Sequence, residues 1–113
     1  MAYEQMIFVV SENDYYAETI AMFDLCSVGI EFSRIFKEDA KYGIFEINGN
    51  ETIKEDKYGN NIKVAETDIV IKTLDTMYKK TKYWRLKSAS EMIKSIQKEN
   101  DTRDNIKVYS YGY

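Results

Sequence analysis

Apolar and polar positions fall in short blocks along this chain, and most of the blocks have the period of strands. Met6-Ile7-Phe8-Val9-Val10 is an unbroken apolar run of β-branched and aromatic residues. That pattern predicts a central strand with both faces buried. Ser11-Glu12-Asn13-Asp14 reads as a turn. Thr19-Ile20-Ala21-Met22-Phe23 has strand composition and would return antiparallel as a hairpin. Asp24 can then cap a helix over residues 25–36, with Leu25, Val28, Phe32 and Ile35 on one face. Gly29 would weaken that helix by up to ~1 kcal/mol. A polar exit loop over 37–41 leads to a third strand, Tyr42-Gly43-Ile44-Phe45-Glu46-Ile47, ended by Asn48-Gly49-Asn50. A competing pattern makes residues 12–27 a single helix capped by Ser11, on the helical spacing of Tyr15, Thr19 and Met22.

The second half predicts the same order. Asp68-Ile69-Val70-Ile71-Lys72 and Lys82-Tyr83-Trp84-Arg85-Leu86-Lys87 read as strands. Ser88-Ala89-Ser90-Glu91 is a capping box, and the helix behind it puts Ala89, Met92, Ile93 and Ile96 on one face. Residues 106–111 form a last strand, alternating Ile106 and Val108 against Lys107, Tyr109 and Tyr111. Between the halves, Lys57-Tyr58-Gly59-Asn60 predicts the turn of a polar, exposed hairpin, with an extended link as the competing reading. The expected fold is α+β: an antiparallel sheet with two helices, built as two pseudo-repeated ββαβ units. One domain is expected over residues 1–113, with halves at 1–50 and 68–113 joined by 51–67.

A chain of 113 residues with 44% hydrophobic composition can bury one modest core. No apolar run approaches the ~20 residues of a membrane span, and residues 1–5 lack a basic stretch and a signal-peptide core. These features predict a soluble, cytoplasmic protein. Cys26 is the single cysteine, which removes an internal disulfide and predicts a small buried hydrophobe. The chain has no histidine and its five glycines are scattered, so general acid–base work would fall to carboxylates, Lys or Tyr, and no phosphate loop is formed. The paired acids Glu38-Asp39 and Glu55-Asp56 lie in polar segments where a carboxylate stays solvated. No metal-ligand spacing is present. The expectation is a protein that is not an enzyme, with no cofactor and no metal site.

Net charge is −3, unevenly spread: the first half is acidic and the second basic, a distribution that bears on partners. In the second half, Lys79, Lys80, Lys82, Arg85 and Lys87 stand among Tyr78, Tyr83 and Trp84. Cations that neutralise phosphates, beside flat rings that stack on unpaired bases, make this a candidate surface for single-stranded nucleic acid, with Lys79, Lys80, Lys82, Tyr83 and Arg85 as its contacts. The competing reading is an edge strand protected by lysine, with Trp84 in the core. In the acidic half, Glu12, Asp14 and Glu18 surround Tyr15 and Tyr16 at the expected hairpin tip. Ten tyrosines are present, and Tyr109, Tyr111 and Tyr113 share one face of the last strand. Tyrosine is enriched in protein interfaces, where it supplies contact area at low entropy cost.

Ile7-Phe8-Val9-Val10, Glu18-Thr19-Ile20-Ala21-Met22-Phe23-Asp24 and Tyr42-Gly43-Ile44-Phe45-Glu46-Ile47 together resemble small phage and bacterial accessory proteins, in which a hairpin runs into a helix and then a third strand. The likeness covers about residues 5–48, with a fainter echo in 68–111. This size class includes anti-CRISPR and other anti-defence inhibitors. The resemblance implies a non-catalytic, phage-encoded inhibitor that blocks the nucleic-acid groove of a host nuclease or CRISPR effector. Its partner-binding surface would be Glu12, Asp14, Tyr15, Tyr16, Glu18, Tyr109 and Tyr111, with charge complementarity speeding capture. A small single-stranded nucleic-acid-binding protein is the alternative.

Overall fold

The computed structural model describes residues 4–12, 17–26, 30–36, 38–39, 44–45, 52–99 and 105–112. Its elements in chain order are β1 (Gln5–Glu12), β2 (Ala17–Cys26), α1 (Ile30–Ser33), β3 (Glu38–Asp39), β4 (Ile44–Phe45), β5 (Thr52–Ile53), β6 (Lys63–Glu66), α2 (Thr67–Thr81), α3 (Trp84–Glu99) and β7 (Asn105–Gly112). The fold is α+β. One five-stranded sheet has the order β2-β1-β7-β6-β3, antiparallel throughout, and β4 pairs with β5 in a separate ribbon.

The apolar run in β1 is a central strand, as its composition predicts, and pairs with β2 on one side and β7 on the other. Its two faces enter two different cores. Ile7 and Val9 join Ala65, Ile106 and Val108 under the helices, against Phe32, Val70, Leu74, Leu86, Ala89 and Ile93. Phe8 and Val10 face the other way and pack with Ala17, Ile62 and Tyr109, with Ile53 and Tyr111 at the margin. The hairpin between β5 and β6 forms where the Gly-Asn signal predicts it. Asp56 Oδ1 accepts the backbone N–H of Tyr58 and of Asn60, and Gly59 takes φ +82°, which favours glycine.

Several sequence expectations are corrected. β2 runs from Ala17 to Cys26, so this described part of the 12–27 helix alternative is strand; residues 13–16 and 27 lie outside the described residues. Of the helix expected over 25–36, Leu25 and Cys26 belong to β2 and Ile30–Ser33 forms the single turn of α1; residues 27–29 lie outside the described residues. Two register shifts explain part of this: the pairing with β1 steps past Ile20 and past Leu25. The second bulge turns Leu25 wholly into the core and leaves Cys26 at φ 56°. Cys26 is therefore half-exposed at a strained strand end, where its N–H bonds Asp24 Oδ1 at 2.8 Å, and is not a buried hydrophobe. Glu38 and Asp39 pair with Val64 and Lys63 in place of the expected exit loop. Of the third strand, Ile44 and Phe45 are described and pair with Ile53 and Thr52; residues 42, 43, 46 and 47 lie outside the described residues, as does the 48–50 turn.

In the second half the ββαβ repeat does not occur. The segment 68–72 is the first part of α2, and 82–87 is a helix–helix corner. Over fifteen residues Val70, Ile71, Leu74, Met77 and Tyr78 make a helical stripe against the core, which a five-residue window of β-branched residues conceals. Ser88 lies inside α3 and caps nothing; the expected apolar face of Ala89, Met92, Ile93 and Ile96 holds and extends back to Leu86.

The tyrosine face of β7 is also corrected. Alternation is as expected, but Tyr109 is wholly buried in the second core, and its hydroxyl donates to Glu12 Oε2 at 2.7 Å. Tyr111 is half-buried, edge-on to Phe8 at 6.3 Å. Tyr109→Phe should lower stability by about 1–3 kcal/mol, the worth of a hydrogen bond to a charged group. Urea unfolding with an unchanged m-value checks this; equal midpoints for the two proteins would remove the bond from the stability account.

Candidate binding site at the helical corner

The chain reverses between α2 and α3 in two residues. Lys82 closes α2 in the left-handed conformation (φ 57°, ψ 23°), and its N–H returns to the Tyr78 carbonyl at 2.8 Å. Thr81 Oγ1 accepts the N–H of Tyr83 at 3.2 Å, and α3 starts at Trp84. The corner is moored to the frayed end of β2. Tyr83 Oη donates to the Leu25 carbonyl at 3.3 Å, and Arg85 Nη1 donates to the Asp24 carbonyl at 2.8 Å. β2 is the edge strand of the sheet, and two side chains from the corner supply donors to its carbonyls at Asp24 and Leu25. Burial, with the Cys26 side chain against it, pushes the Tyr83 phenol above the usual tyrosine value.

This mooring sorts the basic-aromatic residues. Tyr83 and Arg85, expected as ligand contacts, turn inward to β2. Lys79, Lys80, Lys82 and Lys87 are exposed. Trp84, expected in the core of an edge strand, is 58% exposed. The Arg85 guanidinium lies over its indole, 4.7 Å from the ring centre, so the residue that ties the corner to β2 also braces the tryptophan. Beside it, a cleft of about 310 Å³ between the helices is lined by Asp75, Tyr78, Lys79, Lys82, Lys87, Glu91 and Lys94. Lys82 Nζ and Lys87 Nζ lie 5.3 and 5.7 Å from the Tyr78 ring centre. Sequence reading missed Lys94, which sits nearly three turns into α3 and lines the cleft opposite Asp75 of α2.

Asp75 holds the cleft's far wall. Its Oδ1 accepts from Ser90 Oγ at 2.6 Å and its Oδ2 pairs with Lys94 Nζ at 3.0 Å. The Ser90 hydroxyl, against the opposing effect of burial and aided by Lys94 and Lys79, holds the Asp75 carboxyl below the usual aspartate range. Lys94 is thus neutralised locally. Lys82 and Lys87 make no ion pair among the described residues.

Of the acidic residues expected at the hairpin tip, Glu12 and Glu18 are described, on neighbouring pairs of the β1–β2 ladder. Glu12 is held by Tyr109, Glu18 is exposed on β2, and Asp14, Tyr15 and Tyr16 lie outside the described residues. The described residues bring together no group of three or more Cys, Asp or Glu that could hold a metal ion, and no described helix is long and apolar enough to cross a membrane. Comparison with protein-family models, curated proteins and solved structures found no match to this chain.

Asp75 yields a signed pH prediction. A carboxyl whose pKa is lower folded than unfolded adds stability above its unfolded value and loses it as pH falls through the folded value. Ser90→Ala should raise the Asp75 titration midpoint, read by NMR. It should also cost about 1 kcal/mol or less at neutral pH, since Asp75 keeps contact with water. The stability gap between variant and parent should close below about pH 4. A gap that persists at pH 2 would assign the loss to packing.

Proposed function

We propose that this protein is a non-catalytic binder of single-stranded nucleic acid, with the α2–α3 corner as its contact surface. The observation that carries this reading is the exposed Trp84 indole, braced by Arg85, at a corner whose Lys79, Lys80, Lys82 and Lys87 are also exposed. The exposed part of the indole, with the Arg85 guanidinium beside it, suits stacking on an unpaired base. Lys79, Lys80, Lys82 and Lys87 supply the phosphate contacts, while Tyr83 and Arg85 act by holding the corner in place. Trp84→Ala should weaken binding to short DNA or RNA strands by roughly 1–3 kcal/mol, the usual worth of one stacked base. Binding should fall steeply with salt. A gel shift at two salt concentrations, with Trp fluorescence alongside, reads both effects; no complex at low salt would end this reading.

A second reading keeps the anti-defence inhibitor of a host nuclease. It is favoured by Glu18, Ile20 and Met22, all exposed along the outer strand β2, with Met22 49% exposed. An acid flanked by apolar groups on a rigid strand suits a protein contact with a basic rim. Glu18→Lys combined with Met22→Lys should then abolish capture of a basic host protein, with the thermal melt unchanged. Equal capture by variant and parent would discard it.

A further inference from the structure

We infer that the Tyr78 cleft is a phosphate subsite, in which Lys82 and Lys87 grip one phosphodiester above the Tyr78 ring while Trp84 stacks the adjoining base. The inference rests on the nucleic-acid reading for the identity of the polyanion, but the anion site stands on its own geometry. Two ammonium groups converge on one ring, at 5.3 and 5.7 Å from its centre, and neither has an ion-pair partner among the described residues. The cleft sets four lysines, Lys79, Lys82, Lys87 and Lys94, against two carboxylates, Asp75 and Glu91, and a bound anion would offset the excess positive charge. The third and fourth lysines of the cleft do not compete for this role equally. Lys94 is committed to Asp75, and Lys79 lies close enough to the same carboxylate to lower its pKa.

The backbone gives independent support. Lys82 occupies the left-handed closing position of α2, where glycine or asparagine serves the chain at less cost. An L residue kept in that conformation marks a place where the side chain matters more than local stability. Here the strained residue is the one whose ammonium lies over Tyr78. The cleft, about 310 Å³ in volume, has room for a phosphate group with its sugar linkages.

The variant Lys82→Gly/Lys87→Gln tests this without threatening the fold, because glycine suits the left-handed position and Lys87 is exposed. The variant should melt no lower than the parent. With a deoxythymidine strand of about twelve nucleotides, the slope of log affinity against log salt should fall by about 0.7, the share of one phosphate contact on a single strand. Quenching of Trp84 at saturation should remain. Inorganic pyrophosphate alone should shift the Tyr78 ring resonances in the parent and leave them unmoved in the variant. An unchanged salt slope in a variant that still binds the strand overturns the subsite while the nucleic-acid reading stands. A pyrophosphate shift at Tyr78 in a parent that ignores the strand upholds the anion subsite and rejects the nucleic-acid reading. Neither shift nor binding removes both.

Discussion

The pairing of β1 with β7 is the contact on which the rest of the structure depends. Eight residues near the start of the chain lie in register with eight near its end, from Gln5 opposite Gly112 to Glu12 opposite Asn105. Neither strand has an exposed face at its centre. Val9 and Val108 are wholly buried under the helices, and Phe8 and Tyr109 are buried on the other side. A slip of one residue would carry Val9 and Val108 out of the helix-side core and would put Phe8 and Tyr109 into it, so burial on both sides fixes the register. The polar ends confirm the same alignment: Gln5 is wholly buried yet bonded to Ser110 across the pair and to Ser33 from α1. Closing so long a loop costs chain entropy before it returns any contact. The α2–α3 hairpin, by contrast, is local and needs the completed sheet only as a platform.

The helical corner takes its position from that platform at a few points. Leu25 sits at a bulge and is buried in the core, and Tyr83 and Arg85 donate to the carbonyls of Leu25 and Asp24 on this edge strand. At the opposite end of the pair, Gln97 Nε2 bonds Thr67 Oγ1 at 2.9 Å and Asp68 Oδ1 at 3.1 Å, tying the last turn of α3 to the first of α2. Between these ends Ser90 and Lys94 meet Asp75. Held at three levels, the helices cannot slide past each other to relax the lysines at the corner.

The strands were legible where periodicity alone decides them. β1 is apolar on consecutive residues and central, β7 alternates, and the Asp56–Asn60 turn follows from its Gly-Asn signal. The outward reading of Tyr109 failed because alternation tells which residues share a face and is silent on whether that face is covered; Ile53 and Ile62, from the hairpin expected to be exposed, cover it. α2 was hidden by Ile69-Val70-Ile71, whose β-branched side chains imitate a strand until Leu74 and Met77 extend the stripe. The corner was hidden for a different reason. Chain reversals are announced by Gly, Asn or Pro, and this one is made by a left-handed lysine, so Lys82-Tyr83-Trp84 carries no turn signal. The same residue that masks the turn is the one that builds the cleft, and a site whose chemistry displaces the usual turn residue is hard to see in sequence for that reason.

The charge of the whole molecule bears on how such a site can work. With a net charge of −3 and an acidic first half, the protein as a whole repels a polyanion at long range. At physiological ionic strength that field fades over roughly 8 Å, while the Lys82 and Lys87 ammoniums lie within 6 Å of one aromatic ring. Attraction at the corner would therefore be local, and on the proposed reading the acidic charge elsewhere would disfavour a strand spreading beyond it. A uniformly basic protein would coat a nucleic acid without regard to position. On the proposed reading, this charge arrangement would confine contact to a few nucleotides, with Trp84 as the stacking surface. The same confinement applies to an acidic protein segment presented to the corner, so the limit on contact size is set by the fold and not by which polyanion arrives.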